Sequence, residues 1–175
     1  MATRASFARP IRGQMEERNM RTGTAILFSL AIALTAPSVW AGEGQPKNMA
    51  ALTGTCRVQL VKGFFPCDPK VAYVEMTNGR SFVMFNVGDR QIAVSGGHDR
   101  QPNLENLYLS IDTIRMTRGA VVEAVDNRME GECHLSFNKT ATAFHFVKCD
   151  VYNRAKGSMY NLYLENITKT DHQSF

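Results

Sequence analysis

The chain has 175 residues, with 20 Lys and Arg against 16 Asp and Glu and a formal charge of +4. Residues 1–41 hold five of the basic and two of the acidic side chains, which leaves 15 against 14 beyond them. A balanced, scattered charge over 42–175 excludes the clustered basic footprint of a nucleic-acid-binding protein.

In chain order, the first feature is an expected export segment. Residues 1–19 carry Arg4, Arg9, Arg12 and Arg18 without a hydrophobic pattern, and Met20 is the expected true start. Arg21, an apolar run over 25–34 and Ser38-Val39-Trp40-Ala41 then follow the order of a secretory signal, with cleavage expected after Ala41. The run is shorter than the roughly 20 residues that a spanning helix needs, and no longer one follows, so no transmembrane segment is expected in 42–175. The product is expected to be exported, periplasmic or secreted, as a single β domain of 134 residues.

Residues 46–52 are read as a single turn of helix, and the strands begin after it. The runs 71–77 and 80–86 flank Asn78-Gly79, the strongest short hairpin signal. A two-residue turn there sets Val74 opposite Val83 and Ala72 opposite Phe85 on a core face. It sets Tyr73 opposite Met84 and Glu75 opposite Phe82 on the other face. Further strands are expected over 91–95, 107–111, 114–116 and 120–125, with a β-bulge near Asp112-Thr113 where the apolar parity changes. The last third gives three more, with Cys133, Leu135 and Phe137, then Val147, Cys149 and Val151, then Tyr160, Leu162 and Leu164 each on one face. The expected fold class is all-β: a small antiparallel barrel or sandwich of about eight strands.

Cys56, Cys67, Cys133 and Cys149 are an even set in a small exported chain, which reads as two disulfides. Of three possible pairings, Cys56–Cys67 and Cys133–Cys149 join neighbours in sequence, and the second lies across a hairpin whose register also sets Leu135 opposite Val147. Two levels then choose one register. Neither the short C-x(2–4)-C knuckles of zinc sites nor a C-x-x-C exchange motif is present. The same register places His134 and His145 on opposite faces, so that they do not share an ion. No metal and no cofactor are expected.

The segment 95–103 is the candidate ligand loop, with Ser95, His98, Asp99 and Arg100 as its binding residues. Gly96 and Gly97 allow backbone N–H groups to approach an anion, and Arg100 supplies a fork for a carboxylate or phosphate. Ser95, His98 and Asp99 also raise a hydrolase or isomerase alternative, although three neighbours along one strand end rarely converge and there is no G-x-S-x-G elbow. Tyr73, Phe82 and Met84, with Phe64 and Phe65 beside Cys67, form a candidate partner surface.

Ala93-Val94-Ser95-Gly96-Gly97-His98-Asp99-Arg100, placed after two strands, resembles the loop of the C-type lysozyme inhibitors. Those are small disulfide-bearing β-barrels, and the resemblance implies inhibition of a cell-wall hydrolase. The chain lacks that family's second serine, its Ala-Arg-Tyr and its following tryptophan. The leading expectation is therefore a non-enzymatic binding module whose partner is an envelope protein or a small ligand.

Overall fold

The computed structural model describes residues 44–60 and 63–175. Met20, the signal segment and the expected cleavage point lie outside the described residues. Among the described residues, twelve strands follow one another with turns between them: β1 (Pro46–Leu60), β2 (Gly63–Pro66), β3 (Lys70–Met76), β4 (Ser81–Val87), β5 (Arg90–Gly96) and β6 (Arg100–Asn103). The remainder are β7 (Asn106–Ser110), β8 (Thr113–Arg118), β9 (Val121–Asp126), β10 (Glu130–Phe137), β11 (Phe144–Asn153) and β12 (Ser158–Ser174). They form one antiparallel sheet in the order β6-β7-β10-β11-β12-β1-β3-β4-β5-β8-β9, with β2 alongside the far end of β1.

The sheet curls into a barrel-like shape because β7 runs almost straight into β8 while each pairs with a different half. β7 lies on β10, and β8 lies on β5. At the junction the Ile111 N–H donates to the Gly131 carbonyl (3.0 Å) and the Asp112 N–H to the Ser95 carbonyl (3.1 Å). The parity change at 112–113 is therefore a corner where the chain changes partner, not a bulge within one ladder. Inside the curl, Leu52, Phe85, Leu109, Leu135, Leu162 and Leu164 are fully buried. Each such side chain contributes about 1.5–3 kcal/mol by leaving water.

Both disulfides form as the spacing predicts, Cys56–Cys67 and Cys133–Cys149. The second sits in the core, with Cys133 opposite Cys149 and Leu135 opposite Val147. The all-β class holds, with more strands than eight. β1 replaces the helical turn expected over 46–52, because Ala50 and Leu52 alternate with half-buried neighbours between β3 and β12. β2 and β6 escaped the pattern since each is four residues long and contains a proline.

The β3–β4 register differs from the expected one by a single residue. The Met76 N–H donates to the Arg80 carbonyl (2.8 Å) and the Gly79 N–H to the Met76 carbonyl (3.1 Å), so the loop is Thr77-Asn78-Gly79. Gly79 takes φ +78°, the left-handed residue that closes a three-residue hairpin loop. Val74 then pairs with Phe82 and Tyr73 with Val83. Val71, Tyr73, Val83 and Phe85 face the core, while Val74, Met76, Phe82, Met49 and Met84 form a second apolar cluster. A further slip in the β10–β11 ladder pairs Ser136 with Phe146 but Phe137 with Phe144, so Phe144 takes the buried place and His145 of β11 is exposed rather than on the Cys149 face that an unbroken register gives it.

Candidate functional site

The loop between β5 and β6 is shaped by a glycine that nothing else can replace. A Cβ on Gly96 would lie 1.6 Å from the Ser110 carbonyl oxygen, so β5 can cross the β7–β8 corner only without a side chain. The Ser110 hydroxyl then donates to the His98 carbonyl (3.4 Å). His98 adopts φ +66°, a left-handed conformation that a non-glycine residue holds only when its surroundings impose it.

The four expected ligand residues do not converge; each turns to its own partner. Ser95 is buried, and its Oγ accepts from Arg80 Nη2 (3.3 Å). Arg80 also grips Asp112 with two hydrogen bonds, Nη2 to Oδ1 at 2.6 Å and Nη1 to Oδ2 at 3.0 Å. This paired geometry is the strong form of a guanidinium–carboxylate contact. The Arg80 bonds hold the Asp112 carboxyl below its usual range, outweighing partial burial, and Thr113 adds a third donor to Oδ1 at 2.7 Å. Ser95 is thus one tooth of a latch that fastens the β3–β4 hairpin to the corner.

Asp99 turns to the other side and accepts from Ser81 Oγ at 2.6 Å. Ser81 is fully buried at the start of β4, and its oxygen lies 3.5 Å from the Tyr73 hydroxyl. With the Ser81 proton committed to Asp99, that oxygen is free to accept from Tyr73, giving a short chain from phenol to hydroxyl to carboxylate. Burial pushes the Tyr73 phenol up to about 12, so it remains a donor. Partial burial also raises Asp99, while the Ser81 bond opposes the rise and the nearby Glu75 charge adds to it. Glu75 is itself held below its usual range by Lys47 (2.6 Å) and Asn48 (2.8 Å).

Arg100 leaves the loop in a third direction. Its guanidinium lies 4.3 Å from the centre of the Tyr108 ring, and Nη2 reaches Glu132 Oε2 at 3.3 Å. Between these anchors the His98 residue is exposed. A serine nucleophile oriented by imidazole and carboxylate is not what this arrangement supplies: Ser95 lies under Arg80, and the Asp99 carboxylate accepts from Ser81. What it supplies is a loop pinned on both flanks, with one imidazole presented to solvent.

The expected partner surface is divided by the corrected register. Tyr73 points into the core, its ring 6.2 Å from Phe144, whereas Phe82 and Met84 belong to the opposite face. Phe82 is buried and Met84 half-buried. Phe64 and Phe65 remain on the outside, 62% and 37% exposed on β2. Arg80 and Ser81 do not stand out in the sequence, and Asp112 does so only as the expected bulge. The one signal for Ser81 was its parity, since a serine in step with Val83 and Phe85 is a polar group at an inward position.

No family model matches the chain, and neither the curated proteins nor the solved structures contain a match to it.

Proposed function

We propose that this is an exported, non-enzymatic binding module of the cell envelope that uses the β5–β6 loop as its recognition element. The observation that carries the reading is the pinned loop. Ser81 holds Asp99, Tyr108 and Glu132 hold Arg100, and His98 is kept between Ser110 and Asp99 at a backbone angle that costs free energy. A loop ordered before it meets its partner loses little conformational entropy on binding. Two disulfides and the absence, among the described residues, of a helix long and apolar enough to cross a membrane are compatible with export. Inhibition of a cell-wall hydrolase is the narrower form of this proposal, and a pinned loop that presents one side chain suits an inhibitor.

The test is site-specific photocrosslinking in living cells, with the reactive side chain at position 98 and, as controls, at Leu104 and Val121. Leu104 and Val121 are 62% and 66% exposed and stand on other strands and turns. An adduct of defined mass formed from position 98 alone is the expected result. Adducts from the control positions only, or from none, would overturn the reading. A C-type lysozyme cell-wall lysis assay with and without the protein separates the narrower form from the broader one.

A further inference from the structure

His134 is connected to both ends of β6, the edge strand that carries the recognition loop. Its ring stacks on Tyr108 with centroids 4.4 Å apart and planes at 12°, and Arg100, from the strand on the other side of β7, lies 4.3 Å from the centre of the same Tyr108 ring. On the far side of His134 the Phe146 ring meets it edge-on at 5.0 Å. Its Nε2 lies 2.7 Å from Asn106 Oδ1. Asn106 Nδ2 donates in turn to Asn103 Oδ1 (3.0 Å), which fixes the Asn106 oxygen toward the imidazole and makes Nε2–H the donor. The backbone of β6 pairs with β7 at Arg100–Tyr108 and Asn103–Asn106, the two places this network reaches. All four residues of β6 are exposed, so the side-chain ties are a large part of what holds the strand.

The charges around His134 come from four strands. Arg100 on β6 and Tyr108 on β7 lie on one side, Glu132 is two residues away on its own strand, and Lys148 is its direct partner on β11. Lys148 is paired with Asp150 at 3.3 Å, and Glu132 with Arg100 at 3.3 Å. Burial holds the imidazole below its ordinary value, Glu132 opposing the shift and Lys148 reinforcing it. At neutral pH the ring is therefore uncharged, and Arg100 has the Tyr108 quadrupole and the Glu132 carboxylate to itself.

We propose that His134 is a pH-sensitive latch: its protonation places a second cation on the Tyr108 ring and beside Glu132, and the exposed Arg100 is the cation displaced. β6 then detaches from β7 at its Arg100 end, and the loop at 97–100 loses the anchor that orders it. In that state Asp99 remains on Ser81 while Arg100 is in solvent. The regulatory meaning rests on the proposed role of the β5–β6 loop, whereas the detachment itself does not.

The experiment is an NMR titration of the full chain from pH 8 to pH 5, following the His134 ring, the Arg100 Nε–Hε signal and the amides of Gln101 and Asn103. The Arg100 and β6 signals are expected to move with the midpoint of the His134 ring, the released form growing by roughly two- to five-fold as one cation–π contact is lost. His134→Phe preserves a stacked ring without a titration, and should leave β6 unmoved across the range. His98→Asn removes the other nearby imidazole while tolerating φ +66°, and should leave the titration in place. Static β6 signals, a midpoint different from that of His134, persistence in His134→Phe or disappearance in His98→Asn would each overturn the latch. Should His134→Phe fail to fold, the coincidence of midpoints in the unaltered chain decides the matter. Absence of a crosslink at position 98 would remove the binding reading and leave the titration as it stands.

Discussion

The hairpins β10–β11 and β3–β4 are built from the same kind of sequence, alternating apolar runs about a turn, yet only one keeps the register that its residues suggest. In β10–β11 a covalent pair marks the register, and Cys133 opposite Cys149 agrees with Leu135 opposite Val147. In β3–β4 the register depends on turn length, and Thr77 joins Asn78-Gly79 in the loop. One residue is enough to exchange every cross-strand partner, because side chains alternate with a period of two. Two observations that fix one register are far stronger than one strong turn signal.

The largest test of that contrast is removal of the covalent mark. Replacing Cys133 and Cys149 by alanine together is expected to lower stability by about 3 kcal/mol, from a loop with a sequence separation of 16. The measurement is the denaturant midpoint at fixed protein concentration. A loss of under about 1 kcal/mol would mean that packing alone holds this hairpin.

Next comes Ser81→Ala, which leaves the Asp99 carboxylate without its donor and Tyr73 without an acceptor at the start of β4. About 1–2 kcal/mol is expected, together with a fall in the order of the 97–99 backbone read by amide relaxation. Gly79→Ala should be smaller, about 1 kcal/mol, since alanine enters the left-handed region against its steric preference. A neutral Gly79→Ala with unchanged Met76–Arg80 pairing would show that the loop's length, not its glycine, sets the register.

The smallest expected effects concern pH, and they have opposite signs on the two sides of the β5–β6 loop. The Asp112 carboxyl is held below its unfolded value by Arg80, so its contribution is present above the ordinary carboxylate range and is lost as pH falls through the folded value. Asp99 is raised, so its ionisation works against the folded state once pH passes its unfolded value. Asp112→Asn should therefore flatten the acid limb of a melting-temperature profile from pH 7 to pH 2.5, and Asp99→Asn should steepen it. Arg80 and Asp112 are partly exposed, which keeps the first effect to about 1 kcal/mol or less. Two profiles shifted in the same direction would contradict the assigned causes.

Much of the candidate site was hidden for a reason that particular residues make plain. Ser95, His98, Asp99 and Arg100 stand out as a chemically rich loop, and in the structure that loop carries a left-handed His98 and a Gly96 with no room for a side chain. Their partners were invisible: Ser81 is 18 positions from Asp99, and Arg80 is 32 from Asp112. Tyr108 and Glu132, which hold Arg100, belong to strands whose adjacency no local pattern announces. His134 was legible only as a lone histidine on a polar face, and its connection to β6 required β7 to lie between them.

By itself, the sequence determined what depends on neighbours along the chain. Alternation with a period of two marks the strands other than β1, β2 and β6, glycine-containing turns mark their ends, and the spacing of the cysteines marks both disulfides. Tertiary structure decided what depends on closure: the Asp112 corner where one strand serves two halves of the sheet, the slip that sent Tyr73 inward, and the separate partners of Ser95, Asp99 and Arg100. The physical reason is range. A strand's parity is fixed within a few residues by pleat geometry, whereas the meeting of two side chains from distant strands is fixed by the register of every pair between them, and one added loop residue changes it.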